Sequence, residues 1–218
     1  IYSGLGAVSD AHPTAGGAVW FVDQDNARLG RLDTDLLTAS VQYWPLPEGG
    51  DSGFGTAIDQ FGRIWVSDFS QPLLYRYDPS NNRENVCVFD TSDLAGFGSP
   101  YITSDGEQLW FSSIYDNRIL RLDPEIDPLS SDYELTSWYY ASLTWDFEAE
   151  DLLSDGVGGV WVSDSSGGSL VRLYVNQNPP NLMRYHIPSG GGLDRWVDGG
   201  LGGSYPLILV RLDALSPA

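Results

Sequence analysis

Gly62-Arg63-Ile64-Trp65-Val66-Ser67-Asp68, followed by Tyr75-Arg76-Tyr77-Asp78, decides the architecture because the same strings return along the chain. The Trp segment recurs as Ala18-Val19-Trp20-Phe21-Val22-Asp23, Gln108-Leu109-Trp110-Phe111-Ser112-Ser113 and Gly159-Val160-Trp161-Val162-Ser163-Asp164, with spacings of 45, 45 and 51 residues between the tryptophans. An Arg string follows each one: Arg31-Leu32-Asp33, Arg76-Tyr77-Asp78, Arg121-Leu122-Asp123 and Arg172-Leu173-Tyr174. A fifth copy, Arg211-Leu212-Asp213, lies near the end. An acidic string precedes each Trp: Val8-Ser9-Asp10, Ala57-Ile58-Asp59, Thr103-Ser104-Asp105 and Leu153-Ser154-Asp155, with Trp196-Val197-Asp198 heading the fifth unit. Three features in fixed order at a near-constant period mark a tandem repeat.

Each unit reads as strands. The Trp segment is short, β-branched and aromatic, and Gly and Asp bound it. Asp105-Gly106 and Asp155-Gly156 are hairpin turns. Ile119-Leu120-Arg121-Leu122 supplies a third strand, and Asn85-Val86-Cys87-Val88-Phe89 and Leu182-Met183-Arg184-Tyr185-His186-Ile187 supply fourth strands. Gly or Pro interrupts nearly every helical window. A four-stranded unit of this length, repeated, predicts an all-β protein, a β-propeller of about five blades in one domain over 1–218. The repeats fall at about 1–50, 51–94, 95–143, 144–190 and 191–218. A β-sandwich or barrel is the rival, but needs no repeat. The last unit is degenerate: Gly202-Gly203-Ser204-Tyr205-Pro206 replaces its Trp strand, and Pro206 removes a ladder donor. Ring closure is not visible: the ring could close loosely, a neighbouring chain could supply a strand to an open blade edge, or the chain could be a fragment of a larger propeller.

Composition narrows the partners. The 218 residues carry 30 acids and 11 bases, a net charge of −19; all 11 bases are Arg, and 23 of the acids are Asp. Such a chain repels phosphate backbones and anionic lipid, so neither nucleic acid nor membrane insertion is expected. No apolar run spans a bilayer. Cys87 is alone, which excludes an internal disulfide. The start, Ile1-Tyr2-Ser3-Gly4, reads as a processed or trimmed terminus. Lys-free, aromatic-rich, acidic composition fits an extracellular or cell-surface protein of a prokaryote or archaeon; a lineage-wide bias from high salt is the alternative.

Gly62–Asp68 with Tyr75-Arg76-Tyr77-Asp78-Pro79 resembles the repeat of virginiamycin B (streptogramin) lyase-like and NHL-type propellers. Gly17–Asp23 with Asn26–Asp33 does so too, and Tyr43-Trp44-Pro45-Leu46-Pro47 and Tyr185-His186-Ile187-Pro188 are similar to that family's strand-four ending. The resemblance covers residues 4–188. In the lyase it implies a magnesium-assisted elimination by His and Glu at the channel mouth. This chain has two histidines, His12 in the turn Ala11-His12-Pro13 and His186 in an outer strand, and neither matches such a constellation. No catalytic residue is therefore carried over. Related propellers include gluconolactonase-like proteins and plain binders.

Asp23, Asp68 and Asp164 occupy equivalent positions, with Ser113 as the fourth member. They could ring the channel mouth with hard oxygens suited to Ca²⁺. The favoured reading is that each Asp caps its own hairpin, the commoner use of Asp at turns. Glu148, Glu150 and Asp151 offer carboxylates for acid–base work but read better as a solvated loop. The recurrent Arg suits Arg–Asp contacts between adjacent blades, and the recurrent Trp suits packing between them. Phe54, Phe97, Trp145 and Phe147 lie in blade-connecting loops, as a protein- or glycan-binding surface or as channel plugs. The expectation is a non-catalytic extracellular binding or assembly module, Ca²⁺-supported through the Asp ring, that engages a protein or glycan or self-assembles through an open edge. A metal-dependent lyase or lactonase is the alternative.

Overall fold

The structure is a computed structural model. It describes residues 5–14, 16–34, 40–47, 53–81, 86–92, 101–113, 118–125, 136–139, 149–164, 169–176 and 181–186. Among the described residues, sixteen strands form four separate four-stranded antiparallel sheets. Blade 1 contains β1 (Val8–Pro13), β2 (Ala18–Asp23), β3 (Arg28–Asp33) and β4 (Val41–Pro45). Blade 2 contains β5 (Gly53–Ile58), β6 (Ile64–Asp68), β7 (Leu73–Tyr77) and β8 (Cys87–Asp90). Blade 3 contains β9 (Ile102–Ser104), β10 (Leu109–Ser113), β11 (Arg118–Leu122) and β12 (Thr136–Tyr139). Blade 4 contains β13 (Ala149–Ser154), β14 (Gly159–Asp164), β15 (Ser169–Tyr174) and β16 (Asn181–His186). Within each blade the strands pair in chain order, as a β-propeller requires. Single 3₁₀ turns at Gln24–Asn26 and Pro79–Asn81 are the helical elements among the described residues, and no helix is long and apolar enough to cross a membrane. The fifth repeat expected at 191–218 lies outside the described residues.

The first strands β1, β5, β9 and β13 neighbour one another in that order and form the inner wall. Among the described residues the core forms three seams, one between each pair of consecutive blades. Trp20 and Leu29 of blade 1 pack on Ile64, Val66, Tyr75 and Tyr77 of blade 2. Trp65 and Leu74 of blade 2 pack on Leu109, Phe111, Leu120 and Leu122 of blade 3. Trp110 and Ile119 of blade 3 pack on Val160, Val162, Val171 and Leu173 of blade 4. The repeated Trp is thus seam packing, as the sequence led us to expect. Each strand sends alternate side chains to opposite faces, so every blade has a leading face toward the blade before it and a trailing face toward the blade after it. The Trp lies on the trailing face.

The hairpin joining the first two strands follows from its Asp-containing turn. Asp59 Oδ1 accepts the Phe61 and Arg63 N–H groups, Asp105 Oδ1 those of Glu107 and Gln108, and Asp155 Oδ1 those of Val157 and Gly159. Gly62, Gly106 and Gly156 follow at φ of 76°, 96° and 69°, a region that side chains disfavour. Blade 1 departs from this pattern. Its turn position is held by Thr14, whose N–H donates to Ala18 O at 2.8 Å, just as Asp59 N–H donates to Arg63 O at 3.1 Å. Asp10 is therefore not the first copy of the turn Asp; it sits four residues earlier, inside β1.

Candidate functional site

The Asp–Trp–Arg unit of each blade comes first, because it absorbs most of the recurrent polar residues. Trp65 Nε1–H donates to Asp59 Oδ2 at 2.8 Å, and Trp110 Nε1–H donates to Asp105 Oδ2 at 2.7 Å. The recurrent Arg is the cross-strand partner of the Trp in all four blades: Trp20 with Arg31, Trp65 with Arg76, Trp110 with Arg121 and Trp161 with Arg172. Its guanidinium lies 5.9, 5.5, 5.9 and 5.7 Å from the respective ring centroids, within cation–π range. Each recurrent Arg thus stacks on the Trp of its own blade, because the β2–β3-type register places the two directly opposite. Arg63 crosses the seam of blades 2 and 3, donating to Pro124 O at 2.7 Å. Blade 4 changes the wiring. Asp155 Oδ2 accepts from Arg172 Nε at 2.9 Å, and Trp161 Nε1 is buried without a partner. Burial alone would push the Asp155 carboxyl up. The Val157, Arg172 and Gly159 donors outweigh it and hold the carboxyl below the usual carboxylate range.

The strand-two acids behave as hairpin caps wherever their side chains are described. Asp23 is fully buried and accepts from Gly6 N–H at 3.0 Å, Asn26 Nδ2 at 2.9 Å and Arg28 Nε at 2.7 Å. Asp68 is also fully buried and accepts from the Ser70 and Gln71 N–H groups at 2.9 Å and from the Tyr75 hydroxyl at 3.1 Å. Both oxygens of each carboxylate are thus engaged by their own blade. Ser113 is buried at the end of β10. Asp164 ends β14, and its side chain lies outside the described set. Among the described residues, no group of three or more His, Cys, Asp or Glu side chains is placed to hold a metal ion.

The inner wall holds a polar group that the sequence reading missed. In β1, β5 and β13 a bulge sets two residues against one of the neighbouring strand, placing Ser9-Asp10, Phe54-Gly55 and Glu150-Asp151 in corresponding positions. Asp10 Oδ2 accepts from Thr56 N–H at 2.7 Å and Thr56 Oγ1 at 3.1 Å, fastening blade 1 to blade 2. Ser9 Oγ–H donates to Phe54 O at 2.6 Å across the same seam. His12, expected in a turn, lies in β1 opposite Trp20, with Nε2 3.5 Å from Asp10 Oδ2, an ion-pair distance. The Asp10 carboxylate, helped by the charge of Asp151, raises the His12 pKa despite partial burial. Burial pushes Asp10 up, but His12 and the Thr56 and Ala11 donors bring its carboxyl below the ordinary value. The signal for it is the longer spacing from Asp10 to Trp20 than from Asp59 to Trp65, which sets Asp10 apart from the turn acids.

Phe54 is buried in β5. Its ring centroid lies 5.6 Å from that of Phe69 and 5.4 Å from that of Tyr101, the latter edge-on and in the next blade. Phe69 and Tyr101 are half-buried and reach solvent where strand two ends. Phe97, Trp145 and Phe147 lie outside the described residues, as does Glu148.

No known family profile matches the sequence, and no curated protein matches it. Solved structures match the fold. A selenomethionine form of virginiamycin B lyase from Staphylococcus aureus superposes with a TM-score of 0.69 at 18% identity, over 87% of this chain and 58% of that one. A streptogramin B lyase gives 0.68 at 17% identity, over 84% and 55%. A nidogen/laminin complex gives 0.65 at 13% identity, over 86% and 67%. The chain spans somewhat over half the length of the lyases it resembles, and the likeness is one of fold: a streptogramin-lyase-like β-propeller.

Proposed function

We propose that this chain is a non-catalytic propeller module working outside the cell, where the Phe54–Phe69–Tyr101 cluster meets a protein or glycan partner. The observation that carries this reading is the cluster itself. A buried Phe54 props two half-exposed rings across the seam of blades 2 and 3, as a rigid aromatic anchor needs. The supporting fact is that the recurrent acids are consumed by the scaffold: Asp23, Asp59, Asp68, Asp105 and Asp155 each accept several donors of their own blade. Propellers do serve such roles, as the neighbouring nidogen/laminin complex illustrates. The lysine-free, acidic composition supports an extracellular or cell-surface setting.

The test has two arms. In the first, the chain is incubated with a cyclic depsipeptide and with simple lactones, with and without Mg²⁺, and ring opening is followed by mass spectrometry. The expected rate is the uncatalysed one; turnover above it would establish the lyase or lactonase reading instead. In the second, glycan and extracellular-protein arrays are probed with the wild type, Phe69→Ala and Tyr101→Ala. Binding that both variants weaken supports the aromatic surface. Binding that neither changes places the contact elsewhere.

A further inference from the structure

Phe69 and Tyr101 are held at the surface by different devices. Phe69 follows Asp68, whose Oδ1 accepts the Ser70 and Gln71 N–H groups at 2.9 Å and so fixes the turn that carries the ring. Tyr101 immediately precedes β9, and its carbonyl accepts the Ser112 N–H at 3.1 Å. Phe54 meets the Phe69 ring at an interplanar angle of 36° and the Tyr101 ring at 81°. The two half-buried rings are therefore not parallel, and they offer differently directed faces from one fixed base. An aromatic face carries partial negative charge and attracts a cation that comes within about 6 Å of the ring centroid.

The electrostatics around the rings favours the same kind of group. Asp23, Asp59 and Asp155 each pair with an Arg of their own blade, Arg28, Arg63 and Arg172. Among the described residues the donors to Asp68 are all neutral: the Ser70 and Gln71 N–H groups and the Ser70 and Tyr75 hydroxyls. A fully buried carboxylate held by neutral donors thus stands directly before Phe69 in the chain. The net charge of −19 adds a field that draws cations and turns away anions, a second copy of this chain included. A sugar is served less well. Ser9 Oγ–H donates to Phe54 O, Ser67 Oγ accepts the Gly55 N–H and donates to Gly55 O, and Ser70 Oγ–H donates to Asp68. These hydroxyls are engaged by the scaffold, which suits them poorly to a sugar's hydrogen-bond network. A cation on an aromatic face needs no such partner.

We propose that Phe69 and Tyr101 take a lysine ammonium or arginine guanidinium on their faces, so that the partner is a protein segment with exposed basic side chains. The proposal rests on the aromatic-surface reading and narrows its protein or glycan partner to a basic peptide. The scaffold already uses this chemistry within itself: the Arg28 guanidinium lies 3.6 Å from the Tyr43 centroid and that of Arg63 lies 4.4 Å from the Phe61 centroid.

An array of random-sequence peptides and an array of neutral glycans, probed with the wild type, Phe69→Ala and Tyr101→Ala, test it. The variants keep the net charge of the wild type, so general attraction does not tell them apart. The strongest peptides are expected to be rich in Arg and Lys, and each variant is expected to weaken them at least about threefold. Phe69→trifluorophenylalanine keeps the ring's shape but withdraws charge from its face, and is expected to weaken the same peptides by a similar factor. Basic peptides that neither alanine variant weakens overturn the proposal, as do basic peptides that the fluorinated ring holds as well as phenylalanine does. Ring-dependent binding of glycans, or of peptides without basic enrichment, overturns it while keeping the aromatic surface. Should no probe bind in a way that depends on either ring, the aromatic surface falls together with the proposal.

Discussion

The indole Nε1 of Trp65 donates to Asp59 at 2.8 Å, whereas Trp161, at the same position two blades later, has a buried Nε1 with no acceptor, and Asp155 there accepts from Arg172. The same residue type is thus wired differently in two copies of one unit. Removing the donor should therefore cost different amounts. Trp65→Phe leaves Asp59 short of a donor and should lower stability by about 1–2 kcal/mol. Trp161→Phe removes an unsatisfied donor and should be within about 0.5 kcal/mol of neutral. Urea unfolding of both variants measures the contrast; equal losses would sink the assignment.

Asp59 accepts four donors, among them Arg63 Nε at 2.7 Å. Asp59→Ala should cost about 3 kcal/mol, since it strands both a partly buried guanidinium and an indole N–H. In a double-mutant cycle with Trp65→Phe the losses should fall short of additivity by about 1 kcal/mol. Strict additivity would show that the two side chains do not interact.

A Cβ at Gly30 would run into the Phe21 ring, which is buried on the first blade's leading face. Gly30→Ala should destabilise by roughly 1–3 kcal/mol through overpacking. Phe21→Leu, by removing the ring, should recover part of that loss. Thermal unfolding of the single and double variants decides it.

The Asp10–His12 pair gives stability a pH window. His12 has a raised pKa, so its contribution is complete below about pH 6.5 and fades as pH rises through the folded value. Asp10 has a lowered pKa, so its contribution is present above about pH 4 and fades as pH falls through the folded value. The pair should therefore stabilise most between about pH 4 and 6.5. His12→Gln should flatten the decline of the urea midpoint above that window. An unchanged decline would assign it to other groups.

Because the oxygens of Asp23 and Asp68 are already engaged, Ca²⁺ is expected to leave the melting temperature in place. A site half-filled at about 0.1 mM would gain about 2.7 kcal/mol at 10 mM Ca²⁺, a shift of roughly 5–10 °C. Scanning calorimetry in EDTA and in Ca²⁺ separates the two results, and a shift of that size would establish the Asp ring as an ion site.

Much of the fold was legible because the Trp, Arg and Asp strings repeat with strand-like spacing and glycine-bearing turns. The Trp residues announced the seams because large aromatic surface must be buried. The candidate surface was half legible. Phe54 was singled out from its loop-like neighbours Gly53 and Gly55, but it lies inside β5 and serves as the prop, while Phe69 and Tyr101 carry the exposure. Asp10 and His12 were misplaced because the first unit has four more residues between its acidic string and its Trp than the second.

The sequence by itself determined that the chain is built of repeated four-stranded units, which residues pack the seams and where the turns fall. These follow from local spacing, strand periodicity and turn chemistry. The tertiary structure alone decided which partner each polar side chain takes. Arg76 stacks on Trp65 because they are cross-strand neighbours, whereas Asp10 reaches Thr56 because a bulge turns it toward the next blade. Spacing fixes the identity of a strand, but the pairing register and the approach of a neighbouring blade fix its contacts.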